Sequence, residues 1–220
     1  MHIRDECLVP NSNICLELVV TDDEHLIKVE YGAGLMSSLS TESEKQLAFH
    51  GCQHLVGNPS ARVLVGGLGM GFTLAAALQT LDEQATVVVA ELVPTIVKWN
   101  HGPLAHLAGR PLEDPRVELH IGGVELLIKN TKYQWDAILL DCDNGPEALV
   151  HPDNNWLYSS SGLTTMYKHL FNHGVLAVWA DKALRQGYDF RESLLLAGFI
   201  VQIVELKDAI LYIGRKAEQE

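Results

Sequence analysis

Apolar and polar positions fall in short blocks along this chain, and the blocks predict its elements. Residues 15–20 and 26–31 are β-prone runs joined by the polar link Thr21-Asp22-Asp23-Glu24, which predicts a β-hairpin. Residues 1–12 show no such pattern and read as irregular. Gly32 and Gly34 break the pattern, and Leu35-Met36 resumes it briefly. Ser40 or Thr41 could begin a helix over about 42–55, with Thr41 and Glu44 at capping-box spacing; Gly57-Asn58-Pro59 ends it.

The central stretch is 61–91. An apolar run (63–65) enters a glycine-rich turn at Gly66, Gly67, Gly69 and Gly71. An Ala- and Leu-rich helical segment follows over 72–81, then a second apolar run over 86–90 that ends on Glu91. Strand, glycine turn, helix, strand and terminal acid is the layout of a nucleotide site in a doubly wound sheet. Glycines admit close backbone approach, the helix start offers free N–H groups, and the carboxylate can accept from ribose hydroxyls. A tight turn needed only for packing and a solvated strand-end acid are the bland alternatives.

Downstream, Pro94 opens a helix to about 108, where its missing N–H costs nothing. Strands are expected over 116–121 and 135–141, with a short helix over 124–129 between them. Asn144-Gly145-Pro146 begins a polar loop to about 160, long enough to suggest function. A helix (161–171), a strand (175–180) and a helix (183–197) follow. The β-prone runs 200–205 and 209–214 lie too close for a helical crossover and must pair antiparallel. The fold class is α/β: a Rossmann-like, mostly parallel seven-stranded sheet behind a small N-terminal β-hairpin extension. The expected division is 1–56 for the hairpin and helix and 57–220 for the nucleotide-binding domain.

Composition narrows the partners. The 220 residues are 47% hydrophobic, enough for a full core, and carry a formal net charge of −12. An acidic chain without a basic stripe argues against nucleic acid and anionic membrane, and suits a cationic small molecule better. The four cysteines form no CxxC pair and read as reduced thiols. The first residues carry no apolar signal-like segment, and no apolar run is long enough to span a bilayer, so a cytoplasmic protein is expected. His50 and His54 stand at i, i+4 around Cys52, yet further ligands do not cluster nearby, and no metal is expected.

The motifs carry a resemblance. Val63-Leu64-Val65 with Gly67-Leu68-Gly69-Met70-Gly71-Phe72-Thr73-Leu74 resembles the spermidine synthase (polyamine aminopropyltransferase) signature, roughly VLxxGGGDGGTL. Val89-Ala90-Glu91-Leu92-Val93-Pro94 resembles that family's VExDP, and Asp114-Pro115-Arg116-Val117-Glu118 with Ile121-Gly122 its DPRVE and IGD. Residues 136–141 resemble DVIIVD, and Gly145-Pro146 a later GP. Asp143-Asn144-Gly145-Pro146 is similar to the DNGP of a divergent bacterial branch. The resemblance covers nearly the whole chain. It implies the class I S-adenosylmethionine-dependent transferase fold, a donor that is S-adenosylmethionine or its decarboxylated form, a small-molecule acceptor and a homodimer.

The same resemblance assigns residues. Gly67, Gly69, Met70 and Gly71 would pass the methionine moiety, Glu91 and Leu92 the ribose, and Gly122, Gly123 and Val124 the adenine. Asp141 and Asp143 would be catalytic or bind the donor's amino group, although turn chemistry explains Asp143-Asn144-Gly145 equally well. Asn144, Trp156 and Tyr158 would wall the acceptor pocket, with helix-end packing the alternative for the two aromatics.

Departures from the family pattern decide the expected reaction. Met70 replaces an acid that helps hold the polyamine, Phe72 replaces a glycine, Gly123 replaces the acid that contacts the adenine amine, and Leu47 stands for a tyrosine. Methyl transfer to a small acceptor is therefore the first expectation. Aminopropyl transfer from decarboxylated S-adenosylmethionine to an amine comes second, and a non-catalytic nucleoside-binding relative third.

Overall fold

A computed structural model describes residues 2–30, 32, 34–130, 134–146, 149, 151–184 and 190–218. The first unit is a four-stranded antiparallel sheet in the order β1 (His2–Leu8), β2 (Cys15–Val20), β3 (His25–Val29), β4 (Gly34–Ser37). The N-terminus, expected to be irregular, is thus a strand. β1 pairs only with β2, so polar residues such as Asp5 and Glu6 are tolerated on an edge and mask its periodicity. Tyr31, the end of the second expected run, lies outside the described residues.

The second unit is a seven-stranded sheet: β5 (Arg62–Gly66), β6 (Thr86–Glu91), β7 (Val117–Ile121), β8 (Trp135–Leu140), β9 (Leu170–Asp181), β10 (Ile200–Glu205) and β11 (Ala209–Arg215). Their order is β10-β11-β9-β8-β5-β6-β7, and β11 is the strand that runs against the rest. The helices are α1 (Glu42–Cys52), α2 (Phe72–Thr80), α3 (Pro94–His101), α4 (Val124–Asn130), α5 (Asn155–Tyr158), α6 (Ser160–His169) and α7 (Phe190–Leu196).

Period-two alternation divides the central strands between two cores. Val63, Val65, Ala137, Leu139, Val175 and Ala177 join one cluster, on the face that packs α1 and α2. Leu64, Ile138, Leu140, Leu176 and Val178 join the other, with Ile128 of α4, Leu163 and Met166 of α6 and Leu194 of α7. A strand buried on both faces needs apolar residues at every position, which is why these segments read as continuous hydrophobic runs. Each fully buried Leu or Val contributes roughly 1.5–3 kcal/mol.

Several boundaries differ from expectation for local reasons. The helix begun at Pro94 stops at His101, because Gly102-Pro103 follows; turns continue to residue 109. The segment 144–160 is not a bare loop: it holds a 3-10 turn (Pro152–Asn154) and α5. The last expected helix is present as α7, while residues 185–189 of that prediction lie outside the described residues. The capping box is absent. Thr41 makes no side-chain cap bond, and Glu44 instead accepts the Ser43 hydroxyl at 2.6 Å.

The two units are tied at the carboxyl edge of the large sheet. Trp99 Nε1 of α3 donates to Asp5 Oδ2 of β1 at 2.9 Å. The His151 ring Nε2 lies 3.3 Å from the Pro10 carbonyl. The small sheet therefore sits over the strand ends where ligands of such sheets bind.

Candidate ligand site at the carboxyl edge of the sheet

β5 pairs with β6 on one side and with β8 on the other, so the order of the sheet reverses beside it. A crevice opens outside the strand ends at such a switch point. Here it is a cavity open to solvent, with its outer wall from the small sheet: Val9, Leu16, Leu35 and Met36. Its floor is the glycine turn. Gly67 has φ +89°, and a Cβ there would collide with the Asp141 carbonyl, so the turn passes directly against the end of β8. Gly69 has φ +52°, and a Cβ there would lie 2.7 Å from Met36 Sδ. A side chain at 67 would push the turn away from the end of β8, whereas at 69 the Met36 side chain can yield and the left-handed backbone is what favours glycine.

Glu91 ends β6 inside this cavity and is buried. Its Oε2 accepts from Leu68 N at 2.9 Å and its Oε1 from Val93 N at 2.8 Å. Burial raises its pKa, and the backbone N–H groups of Val93, Leu68, Gly69 and Leu92 oppose that rise. The carboxylate is thereby fixed in direction, and each oxygen keeps further acceptor capacity for a ligand hydroxyl.

Asp141 follows β8. Its Oδ2 accepts from the Thr73 hydroxyl of α2 at 2.6 Å. Burial pushes its pKa up to about 7, the charge of Glu44 adds to the rise, and the Thr73 bond opposes it. Glu44 is itself raised, chiefly by burial. Two desolvated carboxyls that repel one another form a place where positive charge is wanted. Asp143 is buried beside them, its Oδ1 3.4 Å from the His151 N–H.

The expected site residues separate clearly. Gly67, Gly69, Met70, Glu91, Leu92, Gly122, Gly123, Val124, Asp141, Asp143 and Asn144 all line the cavity. Gly71 is not among the lining residues; with φ +86° it is the N-cap of α2 and shapes the turn from behind. Trp156 and Tyr158 do not line the cavity either. Lys129 Nζ sits over the Trp156 ring at 4.1 Å, and Tyr158 is buried edge-on to Phe190. α5 packs Tyr158 into the core below the site and leaves Trp156 half-buried against that core, so neither takes its expected place on the acceptor wall.

Glu44, Thr73 and His151 belong to the cavity or its hydrogen bonds and escaped the sequence reading of the site. Glu44 read as half of a cap, and Thr73 as one more helix position. Cys142 also lines the cavity, but burial pushes its thiol far above the ordinary range, so it is no ready nucleophile. Among the described residues no group of three or more His, Cys, Asp and Glu side chains is placed to hold a metal. No described helix is long and apolar enough to cross a membrane.

No protein-family model and no curated protein matches the sequence. Solved structures do match. A spermidine synthase in complex with the transition-state analogue AdoDATO superposes with TM-score 0.76 at 17% identity, covering 99% of this chain and 75% of that one. The spermidine synthase of Thermotoga maritima gives 0.70 at 16%, covering 98% and 73%. A probable spermidine synthase of Corynebacterium glutamicum ATCC 13032 gives 0.67 at 13%, covering 100% and 82%. The fold is that of the spermidine synthases. This spermidine synthase-like fold includes the small N-terminal sheet as well as the large one, since nearly the whole chain superposes.

Proposed function

We propose that this protein is a transferase that moves an aminopropyl group from decarboxylated S-adenosylmethionine to an amine. The observation that carries the reading is the charge of the cavity. Four carboxyls line it, Glu44, Glu91, Asp141 and Asp143, with no lysine or arginine among the described lining residues. S-adenosylmethionine would bring its own carboxylate into that field. At about 7 Å and an effective dielectric of about 20, each like-charged neighbour costs roughly 2 kcal/mol. The glycine turn offers little relief, since the N–H groups of Gly67, Leu68 and Gly71 are already taken by Ala90 O, Glu91 Oε2 and Leu68 O. The decarboxylated donor carries only positive groups, a sulfonium and an ammonium, and an amine acceptor adds another. The order expected from sequence, with methyl transfer first, is reversed on this ground, and the solved structures of similar fold point the same way.

The chemistry then needs few groups. Ribose hydroxyls rest on Glu91, which the backbone has already oriented. The acceptor ammonium gives a proton to Asp141, whose value of about 7 suits a base working near neutrality. The freed nitrogen lone pair attacks the propyl carbon bonded to sulfur. The C–S bond breaks, and its electron pair returns to sulfur, leaving neutral methylthioadenosine. The sulfonium is already activated, so alignment and exclusion of water supply most of the rate. Glu44 balances the ammonium while Asp141 takes the proton.

Product analysis tests this directly. Incubated with the decarboxylated donor and a set of primary amines, the protein should release methylthioadenosine and an aminopropylated amine. Release of S-adenosylhomocysteine from S-adenosylmethionine, with no methylthioadenosine from the decarboxylated donor, would establish methyl transfer instead.

A further inference from the structure

The reaction above takes an amine, and the end of β9 carries a side chain that bears on which one. β8 and β9 run parallel, with Leu139 opposite Ala177 and Leu140 opposite Val178. One step further along that register, Asp141 comes level with Trp179. Successive side chains of a strand alternate between faces, and these two share one. Val175 and Ala177 belong to the core under α1 and α2, Trp179 packs against that core, and Asp141 accepts from Thr73 of α2. Glu44, in the first turn of α1, acts on Asp141 through its charge. Glu44, Asp141 and Trp179 all line the cavity. An indole therefore stands beside the two carboxyls that receive the acceptor ammonium in the reading above.

What this wall offers is carbon. The Trp179 Nε1–H is shut off from solvent, so the ring meets the cavity with its apolar part. Phe72, at the start of α2, lines the same cavity and packs against the same core. The other two carboxyls are engaged elsewhere. Glu91 lies beyond β5, on β6, and its oxygens hold the N–H groups of Leu68 and Val93. Asp143 takes the His151 N–H and bears on Tyr158, which belongs to the opposite core. A cationic acceptor is thus received at one place, the Glu44–Asp141 pair, with aromatic carbon next to it. A second ammonium laid on that wall would lose hydration with no carboxylate to meet it. A hydrocarbon or aryl body laid there gains by burial.

We propose that Trp179 selects the acceptor, and that the acceptor is a primary arylalkyl monoamine, not a diamine. The attacking nitrogen sits at Glu44 and Asp141, and the carbon body lies along the indole. The inference rests on the aminopropyl reading above and names the class of its acceptor.

Initial rates with decarboxylated S-adenosylmethionine and either phenethylamine or putrescine test it, using the wild type, Trp179→Phe and Trp179→Leu. Each variant is checked for folding by thermal melting. The wild-type kcat/KM for phenethylamine should exceed that for putrescine, by about tenfold. Trp179→Leu should raise the KM for phenethylamine by roughly fivefold with a smaller change in kcat. Trp179→Phe keeps an aromatic face and should restore most of the preference, whereas a general packing defect would weaken both amines alike. Equal or better use of putrescine by the wild type overturns the inference while the aminopropyl reading stands. So does a folded Trp179→Leu variant in which the ratio between the two amines is unchanged. Should Trp179→Leu misfold, the wild-type ratio decides alone. If methylthioadenosine binds but no primary amine elicits its release from the decarboxylated donor, the aminopropyl reading is overturned, and this inference with it.

Discussion

The Thr73 hydroxyl donates to Asp141 Oδ2 at 2.6 Å, joining the first turn of α2 to the end of β8 across the glycine turn. This bond lowers the Asp141 pKa against burial and against Glu44, both of which raise it. Thr73→Val keeps the shape and removes the donor, so the Asp141 pKa should rise further. The acid limb of the pH–rate profile for aminopropyl transfer should then move to higher pH by about half a unit to one unit. An acid limb that stays in place would remove Asp141 as the base.

The same raised carboxyl makes a stability prediction. Asp141 has an ordinary pKa of 3.8 and about 7 in the folded protein, so the folded state holds more protons between those values. Stability from this group is therefore present at low pH and is lost as pH rises through that window. Asp141→Asn has no proton to lose. The melting temperature of the variant relative to wild type should climb steadily from pH 4 to pH 7.5; a flat difference would show that Asp141 ionises normally.

Glu91 should matter more for binding than for folding. Glu91→Gln retains one acceptor for the backbone N–H groups of Leu68 and Val93 but loses the charge proposed to meet ribose hydroxyls. Methylthioadenosine affinity should fall by roughly 10- to 100-fold, as expected for hydrogen bonds to a charged group. Calorimetry showing wild-type affinity would take the ribose away from Glu91.

Arg116 presents the opposite case. It pairs with Asp114 at 2.8 Å, and its Nη1 donates to the carbonyls of Leu78, Leu81 and Asp82, closing the open end of α2. Arg116→Ala should lower stability in urea unfolding by about 1–3 kcal/mol and leave nucleoside affinity of the folded protein unchanged. A loss of affinity without a loss of stability would place Arg116 in the site.

Most of the sheet is legible in the sequence because its inner strands are buried on both faces and its turns fall at glycine or proline. The Gly67–Gly71 turn, Glu91 and Asp141 announce themselves by position at strand ends, where the architecture puts ligands. Glu44 does not. Its place in the cavity depends on how α1 packs, and its local spacing to Thr41 mimics a cap that never forms. Trp156 and Tyr158 mislead for the converse reason: they lie near Asp143 and Asn144 in sequence, but α5 packs Tyr158 into the core and Trp156 against it, so neither lines the cavity. The carboxyl of Glu125 lies against Gly123, a contact that spacing along the chain does not reveal. β1 is hidden because an edge strand needs no alternation to be held by β2.

The charge of the cavity is the centre of this account, and a calorimetric comparison of two donors measures it most directly. Decarboxylated S-adenosylmethionine should bind the wild type at least tenfold more tightly than S-adenosylmethionine at pH 7.5, since a like-charge cost of roughly 2 kcal/mol is more than a factor of ten. The gap should narrow in Glu44→Gln, which removes one of the repelling carboxyls. Equal affinity, or tighter binding of S-adenosylmethionine, would contradict the aminopropyl reading.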